Sequence, residues 1–129
     1  MMPSVLIVES DENLCTGIMQ GLSGSYATLR ARTSSEALEM VRNNNGIDVL
    51  LCDLAVPYAA GSDVVQKIRS ENKEIPLIVL GSHSSARQIC EAMRHGASTF
   101  LLKPLNIPLL EQAIETAVKK KRASAPGTP

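Results

Sequence analysis

The residues able to do chemistry in this chain stand where apolar runs stop. Asp53 closes the run Val49-Leu-Leu-Cys52, and Pro57 follows in the same loop. An apolar run that ends in a carboxylate and a proline reads as a fully buried strand whose last side chain emerges at the sheet edge. A carboxylate there can cap a loop, hold a metal, or act as an oxygen nucleophile in phosphoryl transfer, and the local pattern leaves all three open. Three more runs end in the same manner. Val5-Leu-Ile-Val8 stops at Glu9-Ser10-Asp11-Glu12, Leu77-Ile-Val-Leu80 at Gly81-Ser82, and Ser98-Thr-Phe-Leu-Leu102 at Lys103-Pro104.

The cysteines offer a different chemistry, which the spacing argues against. Cys15, Cys52 and Cys90 are odd in number, with no Cys-x-x-Cys pair and no zinc-like spacing. They read as reduced core thiols. Cys52 adjoins Asp53, yet strand alternation sends the two side chains to opposite faces.

With 129 residues, 44% of them hydrophobic and 20% charged, the chain is the size of one domain with its own core. Thirteen basic residues balance thirteen acidic ones, so the electrostatic footprint of a nucleic-acid binder or a membrane-surface protein is missing. No apolar run approaches the roughly 20 residues of a membrane span, and no basic residue precedes the first strand. A cytoplasmic protein with protein or small-ion partners is expected.

The elements that must position these residues alternate in type. Between the apolar runs lie segments of helical period: Leu14, Ile18 and Leu22, with Asp11 or Ser10 as cap; Ala37, Leu38 and Val41 after the capping box Thr33-Ser-Ser-Glu36; Val64, Val65 and Ile68 after Gly61. Ile89 and Met93 mark a fourth helix, and Leu109, Leu110, Ala113, Ile114, Ala117 and Val118 a fifth. The polar run Tyr26 to Arg32 suits an edge strand. The basic end Lys119-Lys-Lys-Arg122 complements a helix C-terminus and reads as solvated, without direct nucleic-acid contact. Residues 1–122 form the domain, and 123–129 are linker-like. Five strands alternating with five helices predict an α/β fold with a doubly wound parallel sheet and helices on both faces. In such sheets ligand chemistry lies beyond the carboxyl ends of the strands. Glu9, Ser10, Asp53, Gly81, Ser82 and Lys103 then share one edge. Carboxylates converging with a lysine suit phosphoryl transfer onto an aspartate, with a hard divalent ion neutralising the incoming oxygens. No glycine-rich phosphate cradle is present, so the donor comes from outside.

On these residues the chain resembles the receiver domain of two-component response regulators, the CheY-like fold. The resemblance runs from Val5-Leu-Ile-Val-Glu9 through Asp53-Leu-Ala-Val-Pro57 and Gly61 to Gly96-Ala-Ser-Thr-Phe-Leu-Leu-Lys103-Pro104. It implies a flavodoxin-like three-layer sandwich with strand order 2-1-3-4-5, Asp53 as phosphoacceptor, and Lys103 as the contact to the phosphoryl group. It also implies Mg2+ held by the acidic pair after strand one, by Asp53 and by the backbone carbonyl of Ala55, and a cis Lys103-Pro104 bond. The implied partner is a sensor histidine kinase or a phosphotransfer protein. An output domain beyond the C-terminus and a homodimer through the helix-four to strand-five surfaces are further implications. Such a domain is a phosphorylated signalling switch rather than an enzyme.

Two positions depart from the family pattern, and a third fits it ambiguously. The acidic pair is Glu9-Ser10, and Ser10 stands where most receivers carry the principal aspartate ligand; a hydroxyl can hold a metal-bound water, but one charge is lost and weak magnesium binding is expected. Gly81 stands at the Ser or Thr position of the switch. Ser82, one residue later, substitutes for it only if the backbone bulges. Phe100 fits the aromatic switch position and equally an ordinary core phenylalanine. Two hypotheses follow: a receiver phosphorylated on Asp53, or a pseudo-receiver that keeps the fold as a phosphorylation-independent interaction module. A flavodoxin-like cofactor binder fits less well, because aromatics make up only 2% of the chain.

Overall fold

The computed structural model describes residues 2–43, 46–54 and 61–123. Five strands, β1 (Ser4–Val8), β2 (Ala27–Ala31), β3 (Val49–Asp53), β4 (Leu77–Gly81) and β5 (Thr99–Leu102), alternate with five helices. These are α1 (Glu12–Leu22), α2 (Ser34–Asn43), α3 (Gly61–Glu71), α4 (Ala86–Arg94) and α5 (Ile107–Ala123), with a 3-10 turn at His83–Ser85 before α4. Ala55, Pro57 and the tail after Ala123 lie outside the described residues.

All strand pairs are parallel, and the order is β2-β1-β3-β4-β5. The polar β2 is an edge strand, as its sequence predicts. β3 and β4 are buried at every position because helices cover both faces of the sheet. Alternation divides the strands between two cores. Val5, Ile7, Val49, Leu51, Ile78 and Leu80 meet α1 and α5, while Leu6, Val8, Leu50, Cys52, Leu77 and Val79 meet α2, α3 and α4.

The local signals act largely as expected. Asp11 caps α1, its carboxylate accepting from the amides of Asn13 at 2.9 Å and Leu14 at 3.2 Å. Thr33 Oγ1 accepts from the Glu36 amide at 3.1 Å, while the Glu36 carboxylate reaches past Thr33 to the Arg32 amide at 3.4 Å. The Lys103-Pro104 bond is cis.

Four expectations about packing need correction. Met93 and Leu109 are exposed, and the residues that face inward are Ile89 and Ala92 on α4 and Leu110, Ile114 and Val118 on α5. Periodicity placed both helices and most of their buried residues, since Ile89, Leu110, Ile114 and Val118 are buried and Ala113 and Ala117 pack against the core, while Met93 and Leu109 fall just outside the buried stripe. Cys90 is exposed on α4, next to the buried Ile89, so only Cys15 and Cys52 are core thiols. Phe100 is 43% exposed and is not an ordinary core residue. β5 is an edge strand, and alternate side chains on its outer part are not covered.

Candidate functional site

The carboxyl ends of β1, β3, β4 and β5 converge through backbone bonds that set the register there. The Glu9 amide donates to the Ala31 carbonyl at 2.9 Å, the Leu54 amide to Leu80 at 2.9 Å, and the Lys103 amide to Gly81 at 2.8 Å. Asp53 pairs with Leu80 within the last row of the sheet, so it ends the strand rather than following it. Its side chain lies on the α1 and α5 side, with Leu51, while Cys52 faces the other core. Burial with no cationic neighbour pushes the Cys52 thiol up to about 12, which leaves it inert.

Asp53 is 2% exposed and its Oδ2 accepts from Lys103 Nζ at 2.6 Å. The Lys103 side chain is about a third exposed and closes the pair toward solvent. Glu9, 3% exposed, is the second carboxyl group of the site, and it is hydrogen-bonded to Asp53. Its Oε1 is buried with no partner among the described residues. Burial first, then the hydrogen bond and charge of Asp53, raise the Glu9 carboxyl from the usual 4.5 to about 8, against the opposing pull of Lys103. Near neutral pH Glu9 therefore retains a proton. Two carboxyl groups buried side by side under a single ammonium at their solvent edge are costly, and an arrangement of this kind marks a functional site more readily than a stabilising one.

The donor set tests whether a divalent cation suits this edge. Two adjacent carboxyl groups supply hard oxygens, and the orphaned Glu9 Oε1 is an acceptor that a cation would satisfy. Magnesium usually keeps several waters and needs only one or two carboxylates, so Glu9 and Asp53 fit it. No cluster of three or more His, Cys, Asp or Glu is present among the described residues, which limits the charge available to a metal. The side chain of Ser10 is exposed, Asp11 is engaged as the α1 cap, and Ala55 lies outside the described residues.

The other expected site residues fall differently. Gly81 ends β4 in unbroken register with Leu102 of β5, so the bulge that would present Ser82 is absent. The Ser82 hydroxyl meets those of Ser84 at 2.7 Å and Ser85 at 3.2 Å. His83 is exposed, as a solvated loop residue would be.

Arg30 was not legible as a site residue. From the edge strand β2 its guanidinium donates to the carbonyls of Glu9 and Ser10 at 3.4 Å, and it lies 3.7 Å from Glu12. It thus braces the β1–α1 loop that carries Glu9. Only the register, which pairs Arg30 with Ile7, reveals this. A groove of about 460 Å³ between β5 and α5, lined by residues such as Leu101, Leu109 and Gln112, shares no residue with the carboxylate edge.

Comparison with known proteins agrees with this geometry. Residues 5–115 match the family described as the response regulator receiver domain. The transcriptional regulatory protein ZraR of Escherichia coli strain K12 is 30% identical over 126 residues, covering 97% of this chain and 28% of ZraR. The regulatory protein LuxO of Vibrio cholerae serotype O1 is 32% identical over 88 residues, covering 68% of this chain and 19% of LuxO. The chain therefore spans little more than a quarter of the length of such relatives. A response regulator receiver domain protein from Clostridium thermocellum superposes with a TM-score of 0.91 at 26% identity, covering 96% of this chain and 100% of that one. A CheY-like receiver domain protein from Methanospirillum hungatei JF-1 gives 0.90 at 21% identity, with 97% and 100% covered. Sequence match and superposition both extend across the whole sheet, and the chain belongs to the response regulator receiver domains of two-component systems.

Proposed function

We propose that Asp53 accepts a phosphoryl group from a histidine kinase or a phosphotransfer protein and that the domain changes its protein contacts in response. The observation that carries this reading is the buried Asp53 carboxylate in a 2.6 Å ion pair with Lys103, beside a second carboxyl group with an unpartnered oxygen. An Asp53 carboxylate oxygen attacks the phosphorus of a phosphohistidine, the phosphorus–nitrogen bond breaks, and the imidazole leaves and takes up a proton. The product is an acyl phosphate on Asp53. Lys103, already on the solvent side of Asp53, keeps its ammonium and pairs it with the phosphoryl oxygens as a point charge. Glu9 and Asp53 would hold Mg2+, with water at the Ser10 side and the Ala55 carbonyl as further oxygens; when bound, the ion neutralises charge on the phosphoryl group. Binding is weak, because Ser10 contributes no charge. Glu9 would have to lose its proton to hold a cation, so its raised pKa would oppose magnesium binding below about pH 8.

The switch is a population shift, in which phosphorylation favours one arrangement over another. Relatives such as ZraR and LuxO are named as regulatory proteins, and an output domain joined after α5 would place this domain as the input half of a longer regulator. The domain is then a cytoplasmic signalling module, with at most self-catalysed phosphoryl transfer and dephosphorylation.

A phosphorylation-independent module is the second reading, and the lack of a hydroxyl at Gly81 favours it. Incubation with acetyl phosphate or beryllofluoride across a magnesium titration, read by intact mass and amide NMR against Asp53→Asn, separates the two. The phosphoacceptor reading expects added phosphoryl mass and Asp53-dependent shifts. Neither appearing at high magnesium would leave only the interaction module.

A further inference from the structure

The two ends of α4 are held in different ways. At its C-terminus the helix closes with a Schellman motif, the Ala97 amide donating to Ala92 at 3.0 Å and the Gly96 amide to Met93 at 3.2 Å, with Gly96 at φ +115°. The half-buried Arg69 of α3 locks this turn. Its Nε donates to the Gly96 carbonyl at 2.8 Å, and its Nη1 to the carbonyls of Ile75 at 2.6 Å and Asn72 at 3.2 Å. The N-terminus has no comparable tie among the described residues. Ser85 makes no side-chain cap bond, the serine hydroxyls of the preceding loop satisfy one another, and Ala86, Arg87 and Gln88 are exposed. Ile89 is the first buried residue of the helix.

Ile89 sits in a notch that exists because position 81 is glycine. A Cβ placed on Gly81 would lie 3.0 Å from both Ile89 Cγ1 and Cδ1, and 3.3 Å from Leu54 Cδ1. Leu54 directly follows Asp53 and belongs to the same core cluster as Ile89. The residue after the candidate phosphoacceptor and the apolar anchor of α4 therefore crowd the same space.

We propose that α4 is an arm pivoting at the Arg69–Gly96 lock, seated by Ile89 in the Gly81 notch, and that Leu54 couples Asp53 to this seat by packing. The coupling half rests on the phosphoacceptor reading above; the seat does not. In this chain an apolar contact takes the place that a hydroxyl at position 81 would fill. A movement of the backbone at Asp53 and Leu54 changes the room left for Ile89. Because the far end is locked, the response is a swing of the N-terminal half of α4 rather than a displacement of the whole helix.

Amide exchange by NMR on the 129-residue chain tests both halves, using Gly81→Ala, Ile89→Ala and the double variant, with thermal melts to confirm folding. Gly81→Ala is expected to speed exchange about tenfold at amides 89–91 and to leave Gly96 and Ala97 protected. In the Ile89→Ala background, where the crowding atoms are gone, adding Gly81→Ala changes these amides little. Exchange rising equally through Ala97, or the same increment with and without Ile89, would overturn the seat. For the coupling, beryllofluoride with magnesium is expected to alter α4 exchange in the wild type. In Ile89→Ala it shifts the Asp53 surroundings alone. An unchanged α4 response in Ile89→Ala overturns the coupling. Absence of any Asp53-dependent shift overturns the phosphoacceptor reading and the coupling together, while the Gly81 variants still decide the seat.

Discussion

Glu9 and Asp53, separated in the chain by α1, β2 and α2 and brought together at the ends of adjacent strands, form a hydrogen-bonded pair of carboxyl groups, each no more than 3% exposed. Burial of Glu9 first, and then the hydrogen bond and charge of Asp53, set the pH behaviour of the metal-free domain. The Glu9 carboxyl is raised from 4.5 to about 8, so the folded state binds the proton more tightly than the unfolded state. The stabilisation is complete below about pH 4.5 and is lost as pH rises through about 8. Urea denaturation in EDTA between pH 5 and 8.5 is expected to show stability falling by on the order of a few kcal/mol, with the slope abolished in Glu9→Gln. A flat profile in the wild type would contradict the pairing.

Removal of the Asp53 charge is expected to relieve the repulsion within the pair. Asp53→Asn should leave metal-free stability unchanged or raise it at pH 8, whereas Lys103→Met, which leaves two carboxyl groups without their cation, should cost roughly 1–3 kcal/mol. Denaturation curves of the two variants side by side provide the check. A large loss in Asp53→Asn would show the carboxylate to be a structural element.

Restoring a carboxylate beside Glu9 is expected to strengthen cation binding. Ser10→Asp should raise apparent magnesium affinity by about tenfold, a change near 1.4 kcal/mol. Amide shift titrations measure it directly. An unchanged affinity would mean that another group already fills the ligand position.

Arg69 holds three backbone carbonyls with one half-buried guanidinium, and burial pushes its pKa down. Arg69→Ala leaves those acceptors without their donor and should destabilise the fold by about 2–3 kcal/mol. Arg69→Lys recovers only part of this, since an ammonium cannot span the same acceptors. Thermal melts of both variants test the order of stability.

The three thiols differ in access. Cys90 is exposed, while Cys15 and Cys52 are buried with raised pKa values. Titration with a thiol reagent at pH 8 is expected to modify one cysteine in the native protein and all three in denaturant. Fast modification of a second native thiol would show local opening of a core face.

The order of apolar runs and helical segments already carried the fold, because a parallel sheet covered on both faces demands uninterrupted apolar strands and leaves little freedom in how they connect. The same order put Glu9, Asp53, Gly81 and Lys103 on one edge. Helix rotation was less legible. Leu109 and Leu110 are equally apolar, and only the packing of α5 against α1 and the sheet selects Leu110 for burial. Phe100, Met93 and Cys90 show the same limit, since their exposure depends on β5 and α4 lying at the border of the sheet.

Residue types and their spacing determined by themselves that an aspartate ends a buried strand with a lysine on the same edge, since chain alternation and strand order suffice for that. Tertiary structure alone decided what surrounds them. The raised pKa of Glu9 arises from burial and from Asp53 beside it, the brace of Arg30 from strand register, and the seat of Ile89 from the missing side chain of Gly81. Each depends on distances of about 3 Å between residues far apart in the chain, and such distances follow from packing rather than from local pattern.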